Sequence, residues 1–202
     1  MDRGSRPYVE DNQYRINYEY QNQTLVDLED NSTNIGDIQL AIAHTLKDEK
    51  DSSMSVWVSL KLPTGDEDYL SGSGATDISA CLAMNRAISP NWRLNLNAGT
   101  VVLGQDYFND IAVSDFTLYG YAMLNWLLTE GLSLKLQLEA HSSYYDNSEL
   151  KILGDTALLT FGGTIDINQC QHIDIAMTED IIIDASPDAS LIISWHHFPG
   201  AC

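Results

Sequence analysis

About nine stretches of this chain alternate apolar and polar residues with a period of two, and most of them are long. Between residues 132 and 139, Leu132, Leu134, Leu136 and Leu138 stand against Ser133, Lys135, Gln137 and Glu139. Between 92 and 102, Trp92, Leu94, Leu96 and Ala98 stand against Arg93, Asn95 and Asn97. Similar stretches begin near Asp37, Ser53, Asp77, Phe116, Ala157, His172 and Ser190, and helical periodicity is almost absent. Successive side chains of a strand point to opposite faces, so each stretch makes a strand with one apolar and one polar side. A tilted membrane strand needs about 9–11 residues, whereas strands of soluble proteins average about 5–6. A soluble antiparallel sandwich alternates as well, so period alone does not choose between the two.

The connections do discriminate. Short ones (47–52, 87–91, 128–131, 168–171) take turns with long ones (63–74, 104–115, 142–155, 178–188). Outer-membrane barrels have short periplasmic turns and longer external loops. Acidic residues gather in the long connections, among them Asp66, Glu67, Asp68, Asp106, Asp110, Asp146 and Glu149. Trp92, Phe116, Trp126, Trp195 and Phe198 sit near strand ends, where interfacial aromatic girdles lie. The expected fold is therefore all-β, an antiparallel up-and-down transmembrane β-barrel, with about nine spanning strands in this chain. Three segments are expected: an N-terminal segment with an external β-hairpin over 1–34, barrel strands over 35–198, and a tail over 199–202. In the first, residues 14–20 and 24–29 read as hairpin arms around Gln21-Asn22-Gln23.

Charge narrows the partners. The formal net charge is -19, from 29 acidic and 10 basic residues. Such a surface repels phosphate backbones, so no nucleic-acid partner is expected, nor docking on anionic lipid through a basic patch. No apolar run approaches the roughly 18 residues of a membrane helix. Residues 1–10 (MDRGSRPYVE) contain no apolar core of an export signal. Single-chain bacterial barrels have even strand numbers. An odd count with no leader predicts that further strands and a signal peptide belong upstream of Met1. The three cysteines, Cys81, Cys170 and Cys202, have no regular spacing and read as three unrelated thiols.

Several stretches carry a resemblance: Asp2 to Pro7 (DRGSRP), Leu60 to Asp66 (LKLPTGD), Leu70 to Asp77 (LSGSGATD), His141 to Asp146 (HSSYYD), Leu153 to Asp155 (LGD) and Thr178 to Asp188 (TEDIIIDASPD). In this order and spacing they resemble a domain-of-unknown-function family of Gram-negative proteins that look like outer-membrane barrels. The run Lys61 to Gly65 is also similar to one in transporter-like barrels linked to aromatic-compound degradation. The resemblance covers nearly the whole chain. It implies a barrel, an outer-membrane address and sequence upstream of this chain; it implies no activity.

No catalytic constellation stands out. His141, Ser142 and Asp146 are the residue types of a hydrolase, but neighbours on a strand face opposite ways, so His141 is poorly placed to activate Ser142. His196 and His197 likewise face apart, and His172 comes near only if the last strands pair in register. No metal and no cofactor is expected. Gly65, Gly72 and Gly74 precede no helix that could bind phosphate, and Asp66-Glu67-Asp68 lacks the spacing of a calcium loop. The polar strand faces are the most informative feature. Lys61, Arg93 and Lys135, with Asp77, Glu139 and Asp166, are expected to point into the barrel, with the three cations at different depths. They either pair into a cross-linked plug or line a path for small solutes. The chain thus reads as a non-enzymatic outer-membrane barrel of a Gram-negative bacterium, embedded in lipid. Its expected role is a narrow channel or uptake barrel. The alternatives are a non-conducting structural or adhesion barrel, and a soluble periplasmic β-sandwich binding protein.

Overall fold

The structure is a computed structural model that describes residues 15–20, 23–29, 33–67, 69–108, 111–146, 153–182 and 189–198. Strands β1 (Arg15–Tyr20) and β2 (Gln23–Glu29) pair with each other. Nine long strands follow: β3 (Ile38–Glu49), β4 (Ser52–Leu62), β5 (Asp77–Ser89), β6 (Trp92–Val102), β9 (Phe116–Thr129), β10 (Leu132–His141), β11 (Thr156–Asn168), β12 (Gln171–Asp180) and β13 (Ala189–His197). Each pairs antiparallel with its predecessor, giving one continuous sheet in the order β13-β12-β11-β10-β9-β6-β5-β4-β3. The connection 104–115, expected as a plain loop, contains a small hairpin of β7 (Tyr107–Phe108) and β8 (Ile111–Ala112). Residues 199–202 of the expected tail lie outside the described residues, as do residues 1–14.

The short connections shrink to tight turns. Only Lys50-Asp51, Pro90-Asn91, Glu130-Gly131 and Gln169-Cys170 separate the paired strands there. Beside each turn the register slips by one residue, between Thr45/Lys47, Ala87/Ser89, Leu132/Ser133 and Asp166/Asn168. The residues left over are Leu46, Ile88, Leu128 and Ile167, all apolar. A bulge inserts one residue and reverses the alternation beyond it. That is why these strands run past the points at which simple alternation appears to end, such as Asn85 and Asp166.

Cross-strand partners share a face, so the pairing defines two surfaces. One carries Leu40, Val58, Leu82, Leu96, Leu124, Leu136, Phe161, Ile175 and Ile193. It is the exposed one: Leu136 is 49% exposed, Phe161 47%, and Ile193 65%. Among the described residues the only buried apolar side chains are Ala75 and Val113, and both lie in long connections. A soluble sandwich buries its apolar face against a second sheet. Here one sheet holds all nine long strands and that face is left exposed with no second sheet against it among the described residues, which overturns the sandwich alternative. Trp92 and Trp126 stack at 5.1 Å on this face, near the short-turn end.

The other face carries the polar set, and the long connections fold over it. Thr117 on β9 is completely buried there, its hydroxyl donating to the Ser143 carbonyl at 3.3 Å. Gly99 on β6 faces Tyr119 on β9, and an added Cβ would lie 2.7 Å from the tyrosine ring. The missing side chain is what lets Tyr119 lie across the sheet. One thiol departs from expectation. Cys170 is disulfide-bonded, while Cys81 is free.

Candidate functional site

At the long-loop end, three connections meet over the polar face around Lys61. Its ammonium contacts the Asp77 carboxylate and the Ser73 hydroxyl, and lies 3.6 Å from Asp37. Asp37 precedes β3. It accepts the N–H groups of Gly65 at 2.9 Å and Ser73 at 3.0 Å, which ties the connection 63–76 down onto the sheet. Asp77 accepts the N–H of Gly104 at 3.1 Å, tying in the connection 103–115. That connection is joined to 142–155 by a bridge between Val113 and Tyr145 and by the Ser114 hydroxyl on Asp146 at 2.8 Å. The N–H groups of Ser73 and Gly65 hold the Asp37 carboxyl below its ordinary value. Partial burial opposes them and the Lys61 charge assists. Beneath these connections is a cavity of about 250 Å³, lined by Lys61, Ser73, Asp77, Phe108, Tyr144 and Tyr145 among others. Burial raises the Tyr145 phenol above its ordinary value.

Nearer the short turns, Arg93, Asn125 and Lys135 fall in one cross-strand row. Arg93 and Lys135 therefore share one row of the ladder, two strands apart. Only Lys61 stands apart, near the other end. Arg93 is exposed and has no carboxylate partner among the described residues. Lys135 reaches two strands away: its ammonium lies 2.9 Å from Asp174 Oδ1 on β12. Its partner on the intervening β11 is Gly162, which has no side chain to block the crossing. Thr164 donates to the same Oδ1. Asp174 Oδ2 faces His196 Nε2 at 3.2 Å and His172 Nε2 at 3.8 Å. The last strands do pair in register, His172 opposite His196.

All six predicted site residues lie on the polar face, but only some meet. Lys61 and Asp77 form the outer cluster. Lys135 pairs with Asp174 rather than with Glu139, which is exposed and accepts from Gln137 Nε2 at 3.2 Å. Asp166 is exposed opposite His172. Ser73, Tyr144 and Tyr145 were missed as site residues, since loop residues have no periodicity to betray where they fold. Ser142 Oγ accepts the Leu118 N–H at 3.0 Å, Asp146 accepts from Ser114, and the His141 ring touches the Ser142 carbonyl and Tyr144. The three hydrolase-type side chains thus bond elsewhere and form no triad.

A nine-stranded antiparallel meander with an exposed apolar face and a polar face overlaid by its own long loops is the wall of an up-and-down transmembrane β-barrel. The chain belongs to the family described as "Protein of unknown function (DUF3187)", which matches residues 1–198. No curated protein matches the chain. Among solved structures it is similar to the COG4313 outer membrane channel from Pseudomonas putida F1, with a TM-score of 0.59 and 14% identity. The match covers 81% of this chain and 66% of that one, so the chain spans just under two thirds of the channel's length. At this identity the likeness establishes the fold.

Proposed function

We propose that this chain is the wall of an outer-membrane channel in a Gram-negative bacterium. Its lumen is narrow, it passes small polar solutes, and it carries no catalytic machinery. The inverted sheet is the observation that carries this reading. Exposed aliphatic side chains suit hydrocarbon, and the polar face suits a water-filled interior. Loops pinned by Lys61 restrict that interior at one end, while Arg93, without a carboxylate partner among the described residues, leaves positive charge further in. Similarity to an outer membrane channel supports the same reading. Planar-bilayer recording is the test. Small, noisy conductance steps are expected. Large, stable porin-like steps would rule out a narrow lumen, and silence under all conditions would favour a purely structural barrel.

On this reading the long loops are external and the two-residue turns periplasmic. In a chain carrying Cys81→Ser, a membrane-impermeant maleimide applied to intact cells should modify Tyr69→Cys and leave Pro90→Cys untouched. The opposite pattern would invert the orientation.

A further inference from the structure

We propose that His172, Asp174 and His196 form a binding site for a divalent transition-metal ion on the polar face, near the short-turn end of β12 and β13. The inference stands whether or not the barrel conducts. His172 and Asp174 are two residues apart on β12 and so project from the same face. His196 is the cross-strand partner of His172. Three strand positions with fixed backbone thus converge two imidazoles and one carboxylate, the donor set of the facial triad of two histidines and one carboxylate.

The distances match the chemistry. Two donors each about 2.0–2.1 Å from a tetrahedral ion lie about 3.3 Å from one another. Asp174 Oδ2 is 3.2 Å from His196 Nε2 and 3.8 Å from His172 Nε2, and the three donor atoms all lie within 4.8 Å of one another. Small rotations of the two rings bring the set onto one ion. The carboxylate is oriented for this. Lys135 and Thr164 both bond Oδ1, which keeps Oδ2 turned toward the histidines. The imidazoles are ordered by packing, with ring centroids 4.5 Å apart and Phe198 against His172 at 5.4 Å. Such second contacts are what hold metal ligands in aim.

Three protein ligands leave at least one coordination position for water or a solute donor. The set faces the polar side of the sheet, so that position opens to the interior. Imidazole ligands favour zinc, nickel or copper over calcium or magnesium, which prefer oxygen. Bound metal would also clamp β12 to β13, the last pair of the sheet.

The test is titration of the full chain, refolded in detergent without a polyhistidine tag, with zinc sulfate in a calorimeter and with cobalt chloride in a spectrophotometer. About one equivalent should bind, with visible cobalt absorption of a site of low coordination number and no displacement by excess calcium. His196→Ala and Asp174→Asn should each weaken zinc binding at least roughly tenfold. His197→Ala, on the opposite face, should leave it unchanged. Heat-modifiable gel migration checks that each variant is folded. If a variant fails that check, blocking of zinc uptake by diethyl pyrocarbonate in the unaltered chain, with zinc protecting His172 and His196 from modification, supplies the same information. Absence of stoichiometric binding, or binding that survives the double change His172→Ala/His196→Ala, would overturn the proposal.

Discussion

Leu136→Arg should cripple assembly, while Gln137→Arg, one residue along, should be tolerated. The two positions are neighbours on β10, in the middle of the strand, and have opposite fates. Leu136 pairs with Leu124 and Phe161 on the exposed apolar face. Gln137 pairs with Met123 and Thr160 on the covered polar face. A guanidinium at the midplane on the lipid side of a barrel costs about 2–4 kcal/mol. That is roughly 30- to 700-fold in the folding equilibrium, at about 1.4 kcal/mol per decade. On the polar side the same group stays hydrated, and Glu139 lies two residues away to receive it. Leu96 and Asn95 on β6 form a second such pair, so the contrast can be repeated on another strand. Refolding into lipid vesicles, followed as the heat-modifiable gel shift across a urea series, measures it. Equal tolerance at Leu136 and Gln137 would mean that the apolar face does not meet lipid.

This contrast was largely legible in the sequence because period two is a local property. Leu132, Leu134, Leu136 and Leu138 reveal their common face without reference to any other strand. Register is different, because it depends on turns and bulges. The leftover residues Leu46, Ile88, Leu128 and Ile167 each break the alternation just before a turn. Read naively they end a strand; in the sheet they are bulges, with pairing continuing beyond them. The shared row of Arg93 and Lys135 follows from register across three strands, so position within each strand could not disclose it.

The two charge clusters were legible to different degrees. That Lys61 meets Asp77 follows from one hairpin, since both residues flank the same connection. That Lys135 meets Asp174 needs Gly162 between them, and nothing local marks that glycine. His172 and His196 could have been found. Matching Ile173, Ile175 and Met177 against Trp195, Ile193 and Leu191 as apolar partners places the two histidines opposite one another automatically. Asp174 then falls on the same face by alternation. The inward fold of the loops was out of reach, because Ser73, Tyr144 and Tyr145 are held by side-chain and loop hydrogen bonds and a lone bridge rather than by a repeated pattern.

Lys61→Met should release the outer constriction and raise conductance several-fold with little loss of the barrel itself. Lys61 is 24% exposed, and it holds Asp37 and Asp77, which are 10% and 11% exposed. Those carboxylates in turn hold the N–H groups of Gly65, Ser73 and Gly104. Removing the ammonium leaves two largely covered anions facing one another, each having lost a partner worth about 1–3 kcal/mol. The cheapest relief is for the loops to lift and let water reach both carboxylates, since the strand ladder is untouched. The pH dependence distinguishes this from a simple loss of bulk. Asp37 has a lowered value in the folded protein. Its contribution to loop closure is therefore complete above the ordinary carboxylate range and fades as pH falls through the lowered value. The unaltered chain should keep its loops closed at neutral pH and open them only in acid. In Lys61→Met the assisting charge is gone and the two carboxylates repel, so one of them takes up a proton at higher pH. Its conductance should be highest near neutral pH and fall on mild acidification, as the shared proton allows the loops to settle again. Bilayer recordings across a pH series, with proteolytic cleavage in 63–76 as an independent readout of loop release, would measure both effects. Unchanged conductance and cleavage in Lys61→Met would show that the loops are held by something other than this ion cluster.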